Sequence, residues 1–296
     1  MKTIQYFIAA IFLTIVYSNA GNAQDIIHTQ KIPLDSKSQN LKLMVNTFNG
    51  NIKITGTEKN EVEVEVYEMA DHSDHSNSEH YQHVPNPHPH VTVHPDNYTP
   101  NIDTSGLKKI KTSTRDFEIV KEGNTIYVTA QNIVSRSGKS LGFNIKVPYK
   151  CSVTAHSSTI GNIEVEGIEG NLELNSVTGS IKASNIKGAV VSNAVTGITN
   201  VKITKTDNAT PMVFSSVSGH IDVTLPSDIK STFKMKTDYG EIFTDFDVKT
   251  KEVDKITSDD DPYRVAMNRW TVSDINGGGQ EITFKTLNGN IYIRKK

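Results

Sequence analysis

The stretch GNIEVEGIEGNLELNSVTGSIKASNIKGAVVSNAVTG, Gly161 to Gly197, decides how the chain is read. A nine-residue unit recurs in it without a gap. One apolar column reads Ile163, Leu172, Ile181, Val190. A second, two residues on, reads Val165, Leu174, Ala183 and then the small polar Ser192. A third reads Ile168, Val177, Ile186, Val195. A glycine closes each unit at Gly161, Gly170, Gly179, Gly188 and Gly197. Apolar residues two apart mark a short strand with one face inward. The glycine suits a turn that needs positive φ or close backbone approach.

Two units make the stronger period. Asn175-Ser176-Val177-Thr178-Gly179 returns as Asn193-Ala194-Val195-Thr196-Gly197, and again as Ser215-Ser216-Val217-Ser218-Gly219. Such repetition in strand-forming sequence predicts a parallel β-solenoid of about 18–22 residues per coil. In that register Glu164 lies over Lys182 and Glu169 over Lys187, the arrangement that neighbouring strands favour. Asn175 and Asn193 fall in one column and predict a side-chain ladder. A lone coil buries too little to offset its ordering entropy, whereas stacked coils share ladders and a continuous core. A β-sandwich of evenly spaced hairpins is the alternative.

The unit is not confined to this stretch. Thr47-Phe48-Asn49-Gly50-Asn51-Ile52-Lys53-Ile54 matches Thr286-Leu287-Asn288-Gly289-Asn290-Ile291-Tyr292-Ile293 near the other end. Aligning the glycine turns gives the column Ile52, Ile163, Ile181, Thr199, Ile221, Ile242, Ile291. Residues 25–150 are rich in strand patterns, at Leu41–Val45, Val62–Val66, Ile126–Ala130 and Leu141–Val147. They form either a distorted first part of the solenoid or a small sheet that caps it; exposed solenoid ends need such protection. The acids Glu61, Glu63, Glu65 and Glu68 around Val62–Val66 read as a solvated face. The expected division is therefore a leader at 1–24, a strand-rich region at 25–150 and a repeat region at 151–296.

Lys2, the apolar run Ile4–Val16 and the small residues Ser18-Asn19-Ala20 and Gly21-Asn22-Ala23 have the form of a cleaved secretory signal. No later segment is apolar enough to span a bilayer as a helix. The destination expected is the periplasm, the cell surface or the medium. A net charge of −2 argues against a nucleic-acid partner. Cys151 is the single cysteine, so no internal disulfide forms, and its setting reads as a small buried hydrophobe.

Residues 71–106 interrupt the pattern. They hold His72, His75, His80, His83, His88, His90 and His94, with Asp71, Asp74 and Glu79 interleaved. Pro85, Pro87, Pro89, Pro95 and Pro100 exclude regular strands from most of it. The segment reads as a long insertion serving as a hydrophilic spacer. Its His-x-x-His pairs also make the seven histidines candidate ligands for zinc, nickel or copper. A response to pH near the imidazole range is a third reading. No other cofactor is expected.

Catalytic patterns do not appear. In the regular coils the outward columns read Glu164, Lys182, Asn200, Asp222 and Glu166, Ser184, without the paired carboxylates that glycoside cleavage needs. Gly277-Gly278-Gly279 lacks the Lys that follows a phosphate loop. Asp259-Asp260-Asp261 lacks calcium-loop spacing.

The run Phe143-Asn144-Ile145-Lys146-Val147-Pro148, the serial Val-Thr/Ser-Gly turns and the ending Gly277-Gly278-Gly279 … Thr286-Leu287-Asn288-Gly289-Asn290-Ile291 resemble the candidate-adhesin family of exported bacterial β-strand-repeat proteins, built around a domain of unknown function. The resemblance covers nearly all of the chain after its leader. It implies a right-handed parallel solenoid in the cell envelope and supplies no site residues. The function expected is a non-catalytic adhesin-like or structural envelope protein that binds extracellular glycan or protein through its strand faces. A metal-binding envelope protein acting through residues 71–106 is the alternative, and a polysaccharide-degrading β-helix enzyme stands behind both.

Overall fold

The computed structural model describes residues 25–34, 40–69, 117–130, 139–207, 209–248, 251–252, 256–257, 265–266 and 270–296. They form strands throughout. In chain order these are β1 (Asp25–Pro33), β2 (Leu41–Thr47), β3 (Ile52–Thr57), β4 (Glu61–Glu68), β5 (Glu118–Glu122), β6 (Thr125–Ala130), β7 (Leu141–Pro148) and β8 (Cys151–Ile160). The repeats supply β9 (Ile163–Glu166), β10 (Leu172–Thr178), β11 (Ile181–Lys187), β12 (Val190–Thr196), β13 (Thr199–Lys205), β14 (Met212–Ser218) and β15 (Ile221–Leu225). Then come β16 (Ser231–Tyr239), β17 (Ile242–Thr244), β18 (Lys251–Glu252), β19 (Ile256–Thr257), β20 (Val265–Ala266), β21 (Thr271–Ile275), β22 (Gln280–Asn288) and β23 (Ile291–Lys295).

Two large, mostly parallel sheets result. The first runs β1-β4-β7-β3-β9-β11-β13-β15-β23-β17, and the second β18-β21-β16-β22-β14-β12-β10-β8-β2-β6-β5. The chain passes from second sheet to first at alternate glycine corners, as from β10 through Gly179 into β11, and returns at the others, as from β11 through Gly188 into β12. Inward residues of both sheets meet in one core, in which Leu174, Ile181, Val201, Phe214, Val223 and Ile291 are fully buried. Both sheets continue across residue 150, because β2 pairs with β8 and β3 with β9.

A spine of glycines sets the stacking. Each of Gly161, Gly179, Gly197, Gly219, Gly289 and Gly240 lies against the carbonyl of the glycine before it in space, beginning from Gly50. A Cβ at any of them would fall 1.8–2.3 Å from that oxygen, so no other residue fits without moving the backbone. The corner just past the glycine is tied by side chains. Asn51 Oδ1 accepts from Asn162 N at 2.9 Å, and Asn162 Oδ1 accepts from Ser180 N at 2.8 Å. These bonds take up backbone donors where the chain leaves one sheet for the other.

The spatial order departs from the chain order at both ends. The aligned column runs Ile221, Ile291, Ile242, so the last unit of the chain lies between β15 and β17. In the second sheet β22 lies between β14 and β16, and Phe284 accordingly stacks on Phe214 at 5.4 Å and meets Phe233 edge-on at 5.5 Å. At the other end β2 and β3 are interior, with β6 and β7 outside them. Among the described strands of residues 25–150, β2, β3, β6 and β7 extend the two parallel sheets, while β1, β4 and β5 flank them antiparallel.

Two expectations are corrected. Val177 and Val195 do not join Ile168 and Ile186 in the core; they face outward, as does Val217. The corner leaves inward space only for Ser176, Ala194 and Ser216, so strand alternation turns the following valine out. Nor is the acid row of β4 merely solvated. Glu63 is buried, because β4 lies between β1 and β7, whose Lys31 and Lys146 reach it at 3.3 and 2.7 Å.

Candidate functional site

The outer face of the second sheet carries three regular columns, fixed by the parallel register of β8, β10, β12, β14 and β22. The middle column is polar: His156, Asn175, Asn193, Ser215, Lys285. Asn193 Nδ2 donates to Asn175 Oδ1 at 2.9 Å, and Ser215 Oγ donates to Asn193 Oδ1 at 2.6 Å. The predicted ladder thus forms and extends by one strand. On the glycine side stand Val177, Val195, Val217 and Leu287, between 36% and 47% exposed; Phe48 holds the matching position of the repeat at β2's corner, separated from them by β8. On the other side Val191 and Val213 are half-buried. Four adjacent strands spaced at roughly 4.8 Å make the apolar edge about 14 Å long.

The inward partners of this face are buried, and Asn175, Asn193 and Ser215 of its polar column are bonded to one another. A shallow groove of about 290 Å³ lies at its far margin, lined among others by Lys42, Thr154, Glu173, Val191 and Pro211.

The outer face of the first sheet is charged and paired. Lys182 Nζ donates to Glu164 Oε1 at 2.7 Å, and Lys187 pairs with Glu169, as the eighteen-residue register predicts. The hydrogen bond from Lys182 holds the Glu164 carboxyl below its ordinary range, and that from Lys187 does the same for Glu169. Arg294 grips Asp222 at two points, 2.8 and 3.2 Å. The Glu164 and Glu169 carboxylates thus favour the charged, engaged state, the opposite of what a general acid needs.

Cys151 is buried, and burial pushes its thiol up to about 12. It is the inert packing residue that its setting implied. The seven histidines His72, His75, His80, His83, His88, His90 and His94 lie outside the described residues, as do the leader and Asp259–Asp261. Among the described residues no three His, Cys, Asp or Glu side chains cluster as a metal site, and no helix is long and apolar enough to cross a membrane.

Reading the sequence alone missed an aromatic cluster at the β17 end of the first sheet, made by Phe243, Tyr292 and His220. Its signal was available. The residues one beyond the aligned column are Asp222, Tyr292 and Phe243, and they become neighbours once β23 is placed inside β17.

No match to a family model or to a curated protein is found. Two solved structures align over 91% of this chain. One is described as a candidate cell adhesion protein from Clostridium sporogenes ATCC 15579, 14% identical, with 99% of that chain covered and a TM-score of 0.43. The other is described as a candidate adhesin from Bacteroides fragilis NCTC 9343, 11% identical, with 96% covered and a TM-score of 0.30. At these values the likeness carries no functional argument.

Proposed function

We propose that the chain is a non-catalytic, exported envelope protein with a β-solenoid fold, whose work is to bind an extracellular glycan or protein through its strand faces. The supporting observation is the outer face of the second sheet. There a bonded Asn–Asn–Ser ladder runs beside a row of exposed branched apolar side chains, all on parallel strands. A protein gains nothing for its own fold by turning Val177, Val195, Val217 and Leu287 to water in one line, and contiguous apolar rows of this kind mark contact surfaces. The leader-like N-terminus supports export. The paired carboxylates of the first sheet support a role without bond-breaking chemistry.

The test is an array of glycans and extracellular-matrix proteins probed with residues 25–296 and with a Val177→Asp, Val195→Asp, Val217→Asp variant. Stacked carboxylates on neighbouring strands repel, so the neutral Val177→Thr, Val195→Thr, Val217→Thr variant is run beside it and the unfolding midpoints of all three proteins are measured. Binding that the aspartate variant loses is the expected result. Equal signals from this variant and its parent at every partner, or none from either, would overturn the reading.

A further inference from the structure

We infer that the outer face of the first sheet, where β15, β23 and β17 lie side by side, binds a neutral pyranose sugar ring. Asp222, Tyr292 and Phe243 are cross-strand neighbours there. The Phe243 ring stacks on that of Tyr292, with centroids 5.2 Å apart and planes 10° from parallel. Phe243 nevertheless remains 44% exposed, on a strand of only three residues that is the outermost described strand of its sheet. An exposed aromatic on an edge strand does little for the core and invites aggregation, so a ligand-facing role accounts for Phe243 better than packing does.

The surroundings are held in place. Asn290 Nδ2 donates to the Tyr292 hydroxyl at 3.0 Å. His220 meets the Tyr292 ring edge-on at 6.2 Å and accepts from Asn290 N at 2.9 Å through Nδ1. The Arg294 guanidinium lies 5.5 Å from the centre of the same ring and is fixed by its two bonds to Asp222. A sugar ring asks for this combination. Its C–H hydrogens carry partial positive charge and pack on an aromatic face, whose quadrupole is negative. Its adjacent hydroxyls both donate and accept, and meet a carboxylate and a guanidinium side by side. Because these groups are already ordered, little entropy is lost on binding. Charge selects the class of sugar: Asp222 and Asp245 both act on the one guanidinium, so the patch offers no net positive charge to an acidic ring.

This site rests on the proposed glycan binding and adds to it a second place of contact and a ligand class. It lies on the opposite sheet from the valine row, so either can fail while the other stands. The experiment is saturation-transfer NMR on residues 25–296, with the methyl glycosides of glucose, galactose and mannose, their linear trisaccharides, and glucuronate as probes. Transfer to the ring C–H protons of at least one neutral probe is expected. It should weaken about tenfold in Phe243→Ala, persist in Phe243→Trp, and be unaffected by Val195→Asp with Val217→Asp. No transfer to any neutral probe, equal transfer with Phe243→Ala, or transfer to glucuronate alone would overturn the site.

Discussion

Gly289 packs on Gly219, far from it in the chain, and Gly240 packs on Gly289 in turn. A Cβ on Gly289 would sit 2.2 Å from the Gly219 carbonyl oxygen, and one on Gly240 would sit 2.0 Å from that of Gly289. The chain's final unit is thus enclosed on both sides in both sheets, where a terminal strand ordinarily ends a sheet and frays.

Hydrogen exchange should show this directly. Backbone amides of β22 and β23 are expected to exchange as slowly as those of β10 to β13, within about tenfold. Exchange at the rate of the edge strands β1 or β17 would mean that the interior placement is wrong.

Replacement of Gly289 by alanine should be severe. The residue has φ of +146° and no room for a Cβ, so the expected loss is about 3 kcal/mol or more in urea unfolding. Gly277→Ala is the control. Its φ is +94°, but nothing lies within 4 Å of a Cβ there, so only the backbone cost of about 1–2 kcal/mol applies.

The asparagine ladder has a measurable share in stability. Asn193→Ala removes one bond to Asn175 and one from Ser215, which should cost about 1–2 kcal/mol. Asn193→Asp should cost at least as much, because a carboxylate has no donor for Asn175 Oδ1. Thermal or urea midpoints of the two variants decide this.

Acid should weaken the β1–β4–β7 side of the structure. The Lys146 ammonium, bonded to Glu63, draws that carboxyl from 4.5 down to about 2, and Lys31 adds to the effect. The folded value lies below the unfolded one. The stabilisation is therefore complete above about pH 4.5 and is lost as pH falls from there towards 2. Glu63→Gln should remove it, at a cost of about 1–2 kcal/mol near neutral pH once the half-exposed Lys146 is allowed for. The variant should also flatten the acid limb of a stability–pH curve, which a series of urea midpoints measures.

Much of this architecture could be read from residue spacing. The glycine corners, the Glu164–Lys182 and Glu169–Lys187 pairs and the Asn175–Asn193 contact all follow from one period, because stacking repeats the same local environment. What could not be read is where the period is broken. The sequence column placed Ile242 before Ile291, since nothing local to either residue says which lies outside. The choice depends on core contacts such as Phe284 between Phe214 and Phe233. The outward turn of Val177 was hidden for a related reason. Its apolar character matched the core columns, and only the space inside the corner, filled by Ser176, excludes it. The aromatic cluster of the first sheet was missed because its members come from three separate stretches of chain.

The most direct test of the binding reading is an affinity. The strongest partner from the glycan and matrix array should be titrated against residues 25–296 and against Val195→Asp with Val217→Asp, with the unfolding midpoint of both proteins checked in parallel. An intact fold with binding weakened about tenfold or more is the predicted result, as expected when an apolar contact row is charged. An intact fold with affinity within about twofold would contradict the claim that this face makes the contact.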